Sequence, residues 1–245
     1  MLLHSLKKNV GYAAARRIQN GMLVGLGSGS TVEYFLEALG QRVCDEDLQI
    51  KGLASSSRTT LLAKEANIPL LECQEIQRLD LTVDGADFIL TSGESIKGGG
   101  GALLREKITA SMAREMLFIV DKTKLLDRFS GQILPVEVLP FGKQATEHHI
   151  AQLGLHGTWR KKGRERTSLF LTDNGNYILD VLLPSSTHVD PAFHHAQLMT
   201  IPGVIETGFF HSLDGTILVA QEGGSIKEIG SKGANRGGKQ PREAK

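Results

Sequence analysis

The chain has 245 residues, 40% hydrophobic and 22% charged, enough for one large globular domain or for a domain with a smaller companion. A formal net charge of +1 gives no general electrostatic pull toward nucleic acid or a membrane surface, so neither is an expected partner and any anion must be held by a local site. Cys44 and Cys73 are the only cysteines and form no Cys-x-x-Cys, which argues against a disulfide scaffold or a Cys-based zinc site and fits a reducing compartment.

The opening, "MLLHSLKKNVGYAAARR", has no long apolar core before a small-residue cleavage site, and no stretch approaches the roughly 20 apolar residues of a membrane span. A cytoplasmic protein is expected. Leu6, Val10, Ala13, Ala14 and Ile18 fall at helical spacing and Asn20-Gly21 supplies a stop, so a helix comes first. The short apolar runs "MLVGLG", "LQIKGLAS", "DLTVDGAD" and "MLFIVD" then alternate with helical patterns starting near Thr31, Arg58 and Ala102. That alternation predicts an α/β fold with an open, mostly parallel, Rossmann-like sheet. Each run ends in a polar cluster, "GSGST", "SSSRTT", "DGAD" or "DKTK", and ligands of such sheets bind beyond the carboxyl ends of the strands.

From about Gly131 the pattern changes to strand, helix, strands with an Asn-Gly turn, and a further helix, "DPAFHHAQLMTI". This order predicts a smaller α+β domain, residues 131–205, inserted into an α/β domain of residues 1–130 and 206–227. "DGTILVAQ" is expected to rejoin the first sheet, and residues 228–245, glycine-rich and basic without periodicity, are expected to be a disordered tail.

"GLGSGST", Gly25 to Thr31, lies between a strand and a helix, where free amides and the helix dipole favour a phosphate; the alternative is a plain tight turn. It matches neither a Walker A loop nor a Gly-x-Gly-x-x-Gly fingerprint. "VDGAD" puts Asp84 and Asp87 in one turn at a strand end. A turn-stabilising role is open, a metal would want further acidic ligands, and acid/base or hydroxyl binding is the stronger reading. "SIKGGGGALLREK", Ser95 to Lys107, makes a glycine rim between Lys97 and a helix, with Glu106 about one turn in, near the positive end, where it is expected to stay ionised at neutral pH. Arg105, Glu106 and Lys107 could equally be a solvated helix face. His148-His149 and His194-His195 are adjacent pairs in helical patterns and cannot share a metal on one face, so no metal site is expected.

In this order "GLGSGST", "SSSRTT", "VDGAD", "IKGGGGALLREK" and "LPVEVLPFG" resemble the type A ribose-5-phosphate isomerase family, and "TDNGNYILD" with "IPGVIETGFF" extends the resemblance to about Lys227. The resemblance implies interconversion of ribose 5-phosphate and ribulose 5-phosphate in the non-oxidative pentose phosphate pathway, without metal or organic cofactor, by a homodimer or larger homo-oligomer. It implies Glu106 as the base that moves a proton between C1 and C2 through a cis-enediolate. Asp84 would assist ring opening, Lys97 would stabilise charge on substrate oxygens and Asp87 would hold sugar hydroxyls. Ser28, Gly29, Ser30 and Thr31 resemble the phosphate loop, with Lys7 and Lys124 as further contacts; Gly85, Ala86, Gly98, Gly99 and Gly100 complete the expected binding surface. One departure is Phe88, where the family commonly has an acid. Two other classes compete. A sugar-phosphate sensor would usually carry a helix-turn-helix module, whereas the first 20 residues hold one helix; a CoA-transferase would use a glutamate nucleophile, but the chain is short for one.

Overall fold

Leu6, Val10 and Ala14, four residues apart, form one buried stripe of the first helix, α1 (Leu2–Ala15), and the sequence thereafter alternates strand and helix. The computed structural model describes residues 2–163, 168–185, 189–211 and 213–231. Strand β1 (Leu23–Leu26) leads into α2 (Ser30–Asp45), β2 (Lys51–Ala54) into α3 (Ser57–Glu65), and then follow β3 (Leu79–Asp84), β4 (Phe88–Leu90), β5 (Ser95–Ile96), α4 (Leu103–Met112), β6 (Ala113–Asp121) and β7 (Leu125–Leu126). The next stretch holds β8 (Ile133–Val138), α5 (Lys143–Gln152), β9 (His156–Trp159), β10 (Lys161–Lys162), β11 (Ser168–Leu169), β12 (Tyr177–Leu182) and α6 (Pro191–Leu198). The chain closes with β13 (Val204–Thr207), β14 (Phe209–Phe210), β15 (Gly215–Ala220) and β16 (Ile226–Ser231).

The central sheet has the order β16-β15-β6-β3-β1-β2, parallel throughout except for β16. This is the expected α/β class. From β1 the chain runs outward to β2 and then returns to pair β3 on the other side of β1, so β1 and β3 flank the point where strand order reverses, the usual place for a ligand crevice. Val24, Leu26, Val83, Leu117 and Ile119 pack beneath α1 and α2 in one core. A second, antiparallel sheet, β13-β8-β12-β9, buries Leu134, Val136, Val138, Leu179 and Val181 against Ile150 of α5 and Leu198 of α6.

Three differences from the sequence reading have local causes. A four-stranded sheet, β14-β5-β4-β7, stands between the two larger ones, and no pattern announced it because strands of two or three residues carry no periodicity. The tail expected from residue 228 begins instead inside β16, an edge strand whose backbone pairs with β15 while Ile226 and Ile229 pack on the cores; the remainder of that tail lies outside the described residues. Likewise β13 spans the expected boundary at 205/206 and remains paired with β8.

Candidate active site

Asp84 is the last residue of β3 and is 1% exposed. Its Oδ1 accepts the amides of Ser28 at 3.1 Å and Gly85 at 2.7 Å, which ties the loop after β1 to the end of β3. The carboxyl sits where a side chain on Gly27 would be: a Cβ there would lie 2.2 Å from Asp84 Cγ. Gly27 is therefore glycine for the sake of the acid, not of a ligand. Gly99 serves Asp87 in the same way, for a Cβ would meet Asp87 Oδ1 at 2.6 Å, and its amide donates to Oδ2 at 2.7 Å.

Lys97, just past β5 and 3% exposed, gathers the acids. Its ammonium lies 3.0 Å from Asp84 Oδ2 and 3.2 Å from Glu106 Oε2, and donates to Gly85 O at 2.6 Å. Burial disfavours its charge, but the two carboxylates outweigh burial and hold its pKa above the ordinary lysine value. Glu106, in the first turn of α4, is 5% exposed, and its Oε2 accepts no aligned hydrogen bond among the described residues. Burial, opposed by Lys97 and reinforced by Asp84, pushes Glu106 up to about 8. Burial raises Asp84 as well. The expectation of an ionised Glu106 at neutral pH is thus corrected. Two buried acids around one ammonium carry surplus negative charge, and protonation relieves it more than the helix end does.

A crevice of about 160 Å³ opens over this group. The loop Ser28, Gly29, Ser30 and Thr31 lines one part of it together with Lys7, whose ammonium donates to Ser30 Oγ at 2.8 Å. Gly85, Ala86 and Asp87 line another part, and Gly98, Gly99 and Gly100 with Lys97, Glu106 and Lys124 complete the expected set. Asp84 is the exception, lying behind the wall rather than in it. The Ser28 hydroxyl turns away from the crevice into a cluster with Ser55, Ser56 and Thr59 at 3.0, 2.9 and 3.2 Å, so "SSSRTT" supports the loop from below. Phe88 is half-buried in β4, with the Lys124 ammonium 5.7 Å from its ring centre. Ile119, Val120 and Asp121 also line the crevice and were not singled out from sequence, although the polar tip "DKTK" pointed there.

Arg105 and Lys107 are both anchored, although the Arg105 side chain remains 40% exposed. Arg105 donates to Asn174 Oδ1 and Asp173 O at 2.8 Å each, and Lys107, largely buried, donates to Glu206 Oε1 and Thr207 O, also at 2.8 Å. Both flanks of Glu106 are thus moored to the second sheet and its turn. The arrangement offers a carboxyl base on the crevice, a cation beside it, and a loop of amides and hydroxyls with two lysines for an anionic group. Proton abstraction next to a carbonyl in an anchored phosphate ester needs those three parts.

Comparison with known proteins agrees. The family model described as Ribose 5-phosphate isomerase A (phosphoriboisomerase A) matches residues 51–224. Ribose-5-phosphate isomerase A 1 of Oceanobacillus iheyensis is 44% identical over 89% of this chain and 95% of its own length. Ribose-5-phosphate isomerase A of Bacillus mycoides is 42% identical over 91% of this chain and 99% of its own. Among solved structures, a D-ribose-5-phosphate isomerase in complex with phospho-erythronic acid superposes with a TM-score of 0.85 at 32% identity, covering 94% of this chain and 100% of that one. Ribose 5-phosphate isomerase A from Methanocaldococcus jannaschii gives 0.84 at 33% identity, covering 92% and 98%.

Proposed function

The chain belongs to the ribose 5-phosphate isomerase A family and is an aldose-ketose isomerase acting between D-ribose 5-phosphate and D-ribulose 5-phosphate; from that premise we propose that Glu106 moves the proton between C2 and C1 through a cis-enediolate. The observation that carries this reading is that Glu106 lines the crevice while its Oε2 is held 3.2 Å from the Lys97 ammonium. A base with a pKa near the working pH takes a proton from C2 of the open-chain aldose and gives it back at C1 without a large penalty in either direction. Lys97 offsets the negative charge that builds on the substrate oxygens. Gly29 to Thr31, Lys7 and Lys124 hold the phosphate, with Ser28 fixing the start of that loop, and Asp87 takes sugar hydroxyls. Asp84 lies behind the wall, so its part in ring opening is exerted through Lys97, 3.0 Å away.

The reading extends to the non-oxidative pentose phosphate pathway, to a cytoplasmic location and to a homodimer or larger homo-oligomer. No helix among the described residues is long and apolar enough to cross a membrane, and the exposed side chains of Phe141 and Phe193 offer apolar surface to a second copy. Turnover of ribose 5-phosphate by Glu106→Gln tests the central assignment. The substitution keeps shape and removes the base, so kcat should fall by about 10³-fold or more while inhibition by a phosphorylated sugar acid changes by less than about fivefold. Near-normal turnover would remove Glu106 from the chemistry.

A further inference from the structure

The glycine rim is held from outside the crevice by a residue that neither the chemistry above nor the sequence reading includes. Arg160 follows β9 in the second sheet, and its Nη1 donates to Gly98 O at 2.6 Å and to Gly99 O at 3.2 Å. The guanidinium is itself fixed, because Nε donates to Asp180 Oδ2 at 3.0 Å, Nη2 pairs with Asp180 Oδ1, and the Arg160 amide donates to Ile178 O at 2.8 Å. The side chains of Arg160 and Asp180 are only 15% and 22% exposed, which favours a persistent fork over a fluctuating surface pair.

No peptide bond among the described residues is cis, and in a trans peptide the N–H points opposite to the C=O. Holding the carbonyls of Gly98 and Gly99 toward Arg160 therefore turns the amides of Gly99 and Gly100 the other way. The Gly99 amide is taken by Asp87 Oδ2 at 2.7 Å. The Gly100 amide has no partner among the described residues, Gly100 lines the crevice, and a Cβ placed on it would meet nothing within 4 Å. One unpartnered N–H thus points away from Arg160 on a residue that lines the crevice with Glu106 and Lys97, and its peptide carbonyl is polarised by a cation.

We propose that Arg160 is a positioning residue of the isomerase: by holding the carbonyls of Gly98 and Gly99 it aims the Gly100 N–H at the substrate oxygen that gains negative charge as the enediolate forms. The inference rests on the isomerase reading of this crevice and adds to it a donor and the residue that orients that donor. A preoriented amide of this kind acts on the transition state more than on the bound sugar phosphate.

The test is steady-state turnover of ribose 5-phosphate by Arg160→Ala and Arg160→Lys, with inhibition by inorganic phosphate measured on each. In Arg160→Ala, kcat should fall by about 10²-fold, the cost of a misplaced oxyanion donor, while KM and the phosphate inhibition constant stay within about threefold. Millimolar guanidinium should restore at least about tenfold of that loss. A merely structural arginine would lower the folded fraction without changing kcat per folded site, and guanidinium would not help. Arg160→Lys keeps a cation for Asp180 but cannot fork to two carbonyls, so it should fold and lose about tenfold in kcat; it carries the test if the alanine variant does not fold. Unchanged kcat in both variants, or a loss of phosphate affinity equal to the loss in kcat, overturns the proposal. Absence of ribose 5-phosphate turnover in the unaltered protein would instead overturn the reading of the crevice on which the proposal stands.

Discussion

Glu106 and Glu137 are both buried acids, 5% and 0% exposed, and in each Oε2 accepts no aligned hydrogen bond among the described residues, though that of Glu106 lies 3.2 Å from the Lys97 ammonium. Their surroundings part them. Glu137, on β8, has three neutral donors on Oε1: Thr172 Oγ1 at 2.9 Å, Asn174 Nδ2 at 3.1 Å and Asn176 Nδ2 at 2.9 Å, all from the turn before β12. Glu106 has one cation, shares it with a second acid, and opens on a crevice. A buried carboxyl that is wrapped in neutral donors fastens a turn; one left short of donors beside a shared ammonium is available for proton transfer.

The sharpest way to break this contrast is Lys97→Met. It leaves two buried acids without their cation, so kcat should drop by about 10³-fold or more and unfolding free energy by about 3 kcal/mol, read by turnover and urea titration. If stability is unchanged, the ammonium is not what tolerates the buried acids. Glu137→Ala should separate the two roles from the other side. Three side-chain donors lose their acceptor, costing about 2–3 kcal/mol of stability, while kcat per folded molecule stays within about threefold. A tenfold fall in kcat would show that the turn acts on the chemistry through Arg105.

A gentler probe is pH. Glu106 rises from an ordinary 4.5 to about 8 on folding, so between those values the folded chain holds more protons than the unfolded one, and stability falls as pH rises through that window. Glu106→Gln should flatten this slope, gaining on the unaltered protein from pH 5 to pH 9 in unfolding titrations. The same ionisation should give kcat/KM for ribose 5-phosphate a rising limb with a midpoint near 8. A limb centred below 6 would mean that Lys97 outweighs burial. The smallest effect is expected for Glu137→Gln, which keeps the accepting oxygen and should cost about 1 kcal/mol or less. A loss as large as that of alanine would mean that the charge itself holds the turn.

Much of this was legible in the chain. Alternating apolar runs and helical stripes fix the parallel sheet, and polar tips at the carboxyl ends of its strands put Ser28, Asp87 and Lys124 at one crevice, which Lys97 and Glu106 reach from the glycine rim and the helix after it. The glycines were harder to read. A sequence shows that Gly27 and Gly99 have no side chain, not that Asp84 and Asp87 occupy the space, since that depends on a neighbouring strand or loop. Arg160 lies 62 residues from Gly98 and sits in a stretch without a motif, so only the docking of the second sheet brings it to the rim. The ionisation of Glu106 escaped for the same reason: helix position is local, burial is not.

The placement of β15 bears on the order of events during synthesis. Every residue lining the crevice lies between Lys7 and Lys124, so a nascent chain just past that point already contains all the groups that would meet the sugar phosphate. It has no Arg160, and β6 lacks the neighbour it gains only when Met116 pairs with Gly215, a closure that spans the whole second sheet. Closing so long a loop costs chain entropy that only the finished sheet returns, and such distant pairing is slow. The ribosome therefore delivers the reactive groups first and their supports last. An N-terminal fragment ending after β7 should carry the complete lining and remain inactive.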